Sequence, residues 1–502
     1  RRMQREPVTH GSHVIGSVRG TSSHQYNPMM ILADEHTTDS CGNCYAMSFV
    51  YSGNFKGEAL KDQFGQTRAL LGLQDEMFSY PLETGSVFYT PEVLLSFSGS
   101  GMNQLSQNLH RCIRQHICRG KYKESIRPIL VNSWEAAYFD FDGDTLYELA
   151  KEAKNVGIDM LVLDDGWFGK RDDDNSGLGD WFVNEKKLGG TLGSLIQKIN
   201  DLGVKFGIWI EPEMISEDSD LYREHPDWAL TIPGRNPVHA RNQLVLDFSR
   251  KEVVDHIFDQ ICKVLDQGNI EYVKWDMNRS LMDVFSRGTK DQGRVMYDYV
   301  IGLYDFLERI VTRYPDLLIE GCSGGRFDAG MMYYTPQIWC SDNTDALDRL
   351  QIQYGTSFGY PISAVGSHVS AVPNHQTGRI TSLHTRGVVA MAGTFGYELN
   401  LGKLSEEEKE EIRSQVEEYR KFAPLIQTGL YYRLSDPSKE EYAAWAFVSE
   451  DQKEVLLNVV MQEIHGNMTV NYVQLRGLDE SALYKEQTTG RIYSGAALMH
   501  GG

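Results

Sequence analysis

No apolar run in the 502 residues approaches the roughly 20 needed to cross a bilayer; the most apolar stretches are as short as LLIEGC at 317–322. Basic charge is also in deficit. Forty-nine Lys and Arg stand against 69 Asp and Glu, a net charge of −20. A nucleic-acid partner, which needs clustered cations to neutralise phosphates, is therefore not expected. A strongly anionic substrate is disfavoured and a neutral one fits best, although solubility alone accounts for most of the acidity. The seven cysteines are an odd number, scattered apart from CGNC at 41–44, which is no disulfide framework. A reducing, cytoplasmic setting is expected. CGNC has no second CxxC and no βαβ surroundings, so free thiols fit it better than a redox or zinc role. The opening RRMQREP has no signal-like apolar segment, and neither it nor the closing ALMHGG reads as a natural boundary, so a fragment of a longer protein is expected.

Nucleotide motifs are missing as well. No GxGxxG or P-loop follows the first strands, and there is no HExxH and no HxH on a strand. His239 and His368 are isolated and read as core or loop histidines. No internal repeat or low-complexity tract appears.

What is present is a change of rhythm. Residues 1–118 hold short strand-like runs, such as MSFVYSGNF (47–55) and GSVFYTPEVLLSFS (85–98), then a helical link. Residues 119–427 alternate continuous apolar runs with amphipathic helical segments. The runs are ILVNSW (129–134), DMLVLDDGW (159–167), KFGIWIEPE (205–213), LVLDFS (244–249), YVKWDMN (272–278), LLIEGCSGG (317–325), QIWCSDN (337–343) and ISAVGSHVS (362–370). Strands covered on both faces read this way, and eight in βα alternation predict a (β/α)8 barrel. Residues 428–502 return to strand-like runs and predict an antiparallel β-sandwich, cut short. The acidic helix at 405–422 reads as a solvated face.

In such a barrel, polar residues at the C-terminal strand ends face the active site. Here these ends are one-sided: Asp164-Asp165, Glu211 and Glu213, Asp276, and Asp342 with Asp345 behind it. Period-two alternation puts Lys274, Asp276 and Asn278 on one face. A lysine beside Asp276 keeps the carboxylate ionised, as a carboxylate nucleophile requires. A buried structural ion pair would read the same way. A second carboxyl comes from the seventh expected strand at Asp342. A retaining glycosidase needs two carboxyls about 5–5.5 Å apart, one as nucleophile and one as acid/base. Trp134, Trp167 and Trp209 near strand ends suit stacking on a sugar, with barrel filling as the plain alternative for each. Metal-dependent hydrolysis through carboxylates ranks lower, and Cys322 lacks a histidine partner for nucleophilic work.

YVKWDMNR (272–279), GCSGGRFDAGMMYY (321–334), WCSDNTDALDRLQIQYG (339–355), LDDGWFGKRDDD (163–174) and IWIEPEM (208–214) together resemble the motif set of glycoside hydrolase family 36 α-galactosidases. RGTSSHQYNP (19–28) resembles the end of that family's N-terminal β-domain. The resemblance covers essentially the whole chain. It implies retaining, exo-acting hydrolysis of terminal α-galactosyl groups in melibiose- and raffinose-type oligosaccharides, without a cofactor or metal. It also implies a (β/α)8 barrel between an N-terminal β-domain, of which a remnant is present, and a C-terminal β-sandwich. A homo-oligomer is expected, tetrameric in the full-length protein. Asp276 matches the nucleophile and Asp342 the acid/base, with Asp345 and Asp348 as nearby alternatives. Asp164 and Asp165 match the pair that binds the galactose 4- and 6-hydroxyls. Trp209, Arg241, Lys274 and Asn278 match other sugar contacts, Cys322 a position near the 2-hydroxyl, and Trp134 a wall of the site. Gly324 and Arg326 of the shortened Gly-rich turn are further candidate contacts. Alternatives are a galactosyl-transferring or α-N-acetylgalactosaminide-acting relative, and a sugar-binding barrel without catalysis.

Overall fold

Eight parallel strands close into a barrel in the computed structural model, which describes residues 3–22, 25–322, 326–467 and 470–501. They are β1 (Leu130–Asn132), β2 (Met160–Leu163), β3 (Lys205–Ile210), β4 (Ile270–Trp275), β5 (Leu318–Cys322), β6 (Gln337–Trp339), β7 (Val365–Ser370) and β8 (Thr394–Glu398). Neighbours pair in chain order, and β8 closes on β1 through Gly396↔Leu130 and Tyr397↔Val131.

The number of strands matches expectation, but one member differs. LVLDFS is not a stave. Only Leu244–Val245 is extended, paired antiparallel with Met214–Ile215 in a two-stranded sheet outside the barrel. Its run is continuous and buried although it belongs to the β3–β4 connection outside the barrel, and burial alone does not distinguish that from a stave. The eighth stave is TFGYE, whose polar inward positions hide it. Consequently YVKWD forms the fourth strand and QIW the sixth. Asp276 and Asp342 keep a separation of two strands.

Alternation divides the staves into two environments. Tyr122, Leu130, Met160, Val162, Tyr272 and Leu318 form a separate apolar cluster inside the lower barrel. Val131, Leu161, Leu163, Val273 and Trp275 belong to the large core shared with the helices. A period of two therefore carries the inward face from Met160 and Val162 to Asp164, and from Tyr272 to Lys274 and Asp276. Gly207 is on that face too: a Cβ there would lie 2.8 Å from the Tyr272 ring. This puts Trp209 and Glu211 on the inward side of β3.

The helices are amphipathic and well capped. Asp142 accepts from Thr145 N at the start of Gly143–Asn155, Thr191 from Ser194 N at Leu192–Asp201, and Ser405 forms a capping box with Glu408 at Glu406–Thr428. Each such cap is worth about 1 kcal/mol. No helix among the described residues is long and apolar enough to cross a membrane.

The N-terminal region holds two three-stranded antiparallel sheets, Gly11–Ser17 with Phe55–Lys61 and Thr67–Leu73, and Met29–Ala33 with Cys44–Val50 and Glu92–Ser98. It is tied to the barrel at buried Asp328, which accepts from Ser22 Oγ (2.5 Å) and Ser52 Oγ (2.8 Å). The C-terminal region has a three-stranded antiparallel sheet, Leu430–Arg433, Tyr442–Val448 and Val455–Met461, and a hairpin of Leu483–Lys485 with Ile492–Ser494. In the expected strand NMTVNYVQLRGL, residues 470–478 are irregular and 468–469 lie outside the described residues.

Candidate active site

The polar groups converge at the C-terminal mouth of the barrel. Asp276 follows β4 directly, and its own N–H still donates to Ile210 O of β3 at 2.8 Å, so its backbone remains in the ladder. Its carboxylate accepts from Trp209 Nε1 at 3.1 Å and Asn278 Nδ2 at 2.7 Å, both on Oδ2, and from Met277 N at 2.8 Å on Oδ1. Burial, then the negative charge of Asp342, push its pKa up to about 6; Lys274 and the donated hydrogen bonds pull it back. At neutral pH the group is mostly ionised, fixed in rotamer and poorly hydrated.

Lys274 lies one inward position below. Its ammonium donates to Asp164 Oδ2 at 2.9 Å and sits 5.4 Å from the centre of the Trp339 ring. Burial alone would depress it, but Asp164, Cys322, Glu398 and Asp276 hold it well above the ordinary lysine value. Asp164 also accepts from Asn132 Nδ2 at 2.7 Å. Asp165 is gripped in parallel by Arg171, Nε to Oδ1 at 2.7 Å and a terminal nitrogen to Oδ2 at 2.8 Å. Burial raises the Asp165 pKa against the pull of Arg171. The paired carboxylates therefore form a rigid acceptor rim.

Glu211 of β3 is fully buried and accepts from Asn278 N (2.5 Å) and Gln243 Nε2 (2.8 Å). Burial, then Asp276, push its pKa up to about 8. Through Asn278 it braces the Asp276 carboxylate from behind. Glu213, from the same motif, faces elsewhere: it pairs with Arg326 and accepts from Trp275 Nε1 and Tyr299 Oη.

Asp342 lies three residues past β6 and is exposed. Trp339 Nε1 donates to its Oδ1 at 3.0 Å, and Gln376 Nε2 to its carbonyl at 3.1 Å. Asp345 sits in a different setting. It caps the helix Ala346–Thr356, accepting from Leu347 N and Asp348 N, each at 3.0 Å, and it pairs with Arg379. Asp348 accepts from Asn343 Nδ2 at 2.6 Å.

The structure gathers Asp164, Asp165, Trp209, Lys274, Asp276, Asn278 and Asp342 into this network. Cys322 ends β5 with a buried thiol; burial, then Asp276, push its pKa well above the usual range. Arg241 is exposed and reaches Asn278 Oδ1 at 3.4 Å. It and Asn242 both have φ of 57°, a left-handed bend that non-glycine residues seldom adopt. Trp134 is half-buried in a single helical turn two residues beyond β1, edge-on to Tyr138 and Phe139 at 5.3 Å. Trp167 is fully buried and donates to Trp209 O at 2.9 Å, so it braces the strand. Arg326 is engaged with Glu213. Gly324 lies outside the described residues.

Three groups escaped sequence reasoning. Glu398 ends the unrecognised β8 and bonds His368 Nδ1 at 3.0 Å; despite burial, His368 and Lys274 keep its pKa low. Arg171 sits inside LDDGWFGKRDDD without having been singled out. Glu135 adjoins Trp134, and burial, then Glu398, push it up to about 8. Correct placement of β8 was the signal that would have found Glu398. The seven cysteines are free, and no group of three or more His, Cys, Asp or Glu among the described residues is arranged to hold a metal ion.

Comparison with known proteins bears on this geometry. The Melibiase family model matches residues 87–429, and the glycosyl hydrolase family 36 N-terminal and C-terminal domain models match residues 1–83 and 442–502. The bifunctional alpha-galactosidase/sucrose kinase AgaSK of Mediterraneibacter gnavus is 64% identical across 100% of this chain and 53% of its own length. Alpha-galactosidase Mel36A of Lactobacillus acidophilus is 50% identical across 100% of this chain and 69% of its own. The chain thus spans about half the length of the former and about two thirds of the latter. Among solved structures, the galactosidase domain of AgaSK matches with a TM-score of 0.98 at 64% identity, covering 100% of this chain and 69% of that one. A substituted form of alpha-galactosidase AgaA from Geobacillus stearothermophilus, in complex with raffinose, matches with a TM-score of 0.99 at 46% identity, covering 100% and 70%.

Proposed function

The chain belongs to glycoside hydrolase family 36, and we propose that it is a retaining, exo-acting α-galactosidase. Asp276 attacks the anomeric carbon while Asp342 donates its proton to the glycosidic oxygen, which leaves with the electron pair of the C1–O bond. A β-linked galactosyl-enzyme results. Asp342, now ionised, takes a proton from water, whose oxygen attacks C1 and releases Asp276, so two inversions give net retention.

The observation that carries this reading is the setting of Asp276. It is a buried carboxylate with three hydrogen-bond donors and a lysine one inward position below, and the negative charge of Asp342 adds to burial in raising its pKa. A structural ion pair would place the lysine directly on the aspartate. Here Lys274 pairs with Asp164 instead, leaving Asp276 nucleophilic.

The Asp164–Lys274 pair and the Asp165–Arg171 pair support selectivity for galactose. A fixed carboxylate that accepts an axial 4-hydroxyl is left unpaired by the 4-epimer, a loss that rejects analogues strongly. Raffinose and stachyose are bound in structures of AgaA, which supports melibiose- and raffinose-type oligosaccharides as substrates. Cys322, which by the family resemblance matches a position near the 2-hydroxyl, favours galactose over its 2-acetamido relative. Galactosyl transfer uses the same intermediate and competes at high acceptor concentration.

The test is a set of initial rates on aryl α-galactoside, α-glucoside and α-N-acetylgalactosaminide, with the anomer of the first-released sugar followed by NMR. The expected result is turnover of the galactoside with α-galactose formed first. β-Galactose as the first product, or binding of galactose without turnover of any α-galactoside, overturns the proposal.

A further inference from the structure

The proposed mechanism gives Glu135 no task, yet its carboxylate joins three segments of the mouth. It is 8% exposed and lies in the helical turn Trp134–Ala137 after β1. Oε1 accepts from Thr344 Oγ1 at 2.8 Å and lies 3.4 Å from His375 Nδ1. Oε2 accepts from Ala371 N at 3.3 Å. Asn374 Nδ2 donates to the same Thr344 hydroxyl at 3.0 Å, and Gln376 Nε2 holds the carbonyl of Asp342. The loop carrying Asp342 is thus hooked to Glu135 two residues downstream, at Thr344. It is hooked again indirectly, through a 371–376 segment that touches Glu135 and is also held where Ala371 N donates to Glu398 O at 2.9 Å.

Buried Arg349 also grips the loop, donating to Ser341 O at 2.8 Å and Asn343 O at 2.9 Å on either side of Asp342, but these bonds hold the flanking backbone, not the Asp342 carboxyl. The Asp342 side chain is exposed, and Trp339 Nε1 supplies the one side-chain hydrogen bond found for it among the described residues. Proton donation to a glycosidic oxygen requires hydrogen-bond reach at the moment of bond cleavage, and a misplacement of about 1 Å can cost about 10²-fold. Burying a carboxyl is unfavourable unless its hydrogen bonds are met; here they are met by the elements that frame Asp342.

Resting on the α-galactosidase reading above, we propose that Glu135 is a positioning residue for the acid step, clamping the Asp342 loop and the 371–376 segment to the end of β1.

The leaving group provides the test. kcat/KM reports the first, glycosyl-transferring step. A sugar alkoxide cannot leave without a proton, whereas 2,4-dinitrophenolate can. Glu135→Ala and the milder Thr344→Val are assayed on melibiose and on 2,4-dinitrophenyl α-galactoside, with Asp342→Asn alongside. Expected for Glu135→Ala is a fall of about 10- to 100-fold on melibiose and less than about threefold on the dinitrophenyl substrate, with Thr344→Val smaller in the same direction. Glu135→Gln, which keeps an acceptor oxygen for Thr344, should recover part of the melibiose rate. A parallel fall on both substrates, or no fall on either, in both Glu135→Ala and Thr344→Val overturns the proposal, since a loss of folded protein lowers both rates alike. If Asp342→Asn itself shows no such split, the acid/base assignment has failed. If Asp342→Asn splits and the Glu135 and Thr344 variants do not, only the clamp has failed.

Discussion

The end of β4 and the loop after β6 contribute one carboxyl each, and the two settings differ in burial and in backbone support, although each carboxylate accepts from a tryptophan Nε1. Asp276 is buried, its backbone is bonded into the barrel ladder, and three donors fix its oxygens. Asp342 is exposed, follows a three-residue strand, and is steadied by Trp339, by Gln376 and, through the carbonyls of Ser341 and Asn343, by Arg349. A nucleophile makes and breaks a bond at one point in space, so rigidity and poor hydration favour it. An acid/base must serve a leaving sugar and then a water, and must exchange its proton with solvent; a braced but open loop suits that. The rigid member is built from alternation along a strand, the open member from side chains that hold a loop.

The largest expected effect tests the rigid member. Asp276→Gly should lose on the order of 10⁴-fold or more in kcat on aryl α-galactoside, and azide should restore turnover with β-galactosyl azide as product. Activity near that of the unsubstituted enzyme would remove Asp276 from the reaction.

The next concerns the electrostatic link between the two settings. Burial and the Asp342 charge raise Asp276 from the usual 3.8 to about 6. In the proposed mechanism the ionised form is the nucleophile, so kcat/KM on an aryl galactoside should fall tenfold per pH unit as the pH drops below about 6. Removing the Asp342 charge in Asp342→Asn favours the ionised form, so the acid limb should move to lower pH. A limb that stays in place would show that the two carboxyls do not sense each other.

The smallest effect separates Asp342 from its neighbour. Asp345→Asn keeps an acceptor for the N-terminus of Ala346–Thr356 but loses its charge beside Arg379. Expected is a loss of about 1 kcal/mol in unfolding free energy, with the melibiose-to-aryl rate ratio unchanged. A drop confined to melibiose would move the acid role to Asp345.

Much of this contrast was legible in the sequence. The Lys274–Asp276–Asn278 face follows from period two, and Asp164 from the inward face of β2. The staves were legible where they are apolar on both faces. LVLDFS imitated one because Leu244, Val245, Leu246 and Phe248 are all buried, by packing outside the barrel. TFGYE was missed because its inward positions serve the site. Gly396 leaves room for the His368 ring, 2.7 Å from where a Cβ would be, and Glu398 bonds that ring. Glu135 was illegible for another reason. Its meaning lies in contacts with residues 344, 371 and 375, more than 200 positions away, which no local pattern encodes. The identity of the staves thus came from local chemistry, and the support of the open loop only from tertiary contacts.

The central claim is that Asp276 forms the bond to galactose, and trapping that bond tests it most directly. A 5-fluoro-α-galactosyl fluoride slows the second step and leaves the sugar on the nucleophile; digestion and mass spectrometry then locate it. The account predicts one added fluorogalactosyl group, on Asp276 within the YVKWDMNR segment. The same label on Asp342, Glu211 or Asp164, or turnover of the reagent with no covalent adduct, would contradict it.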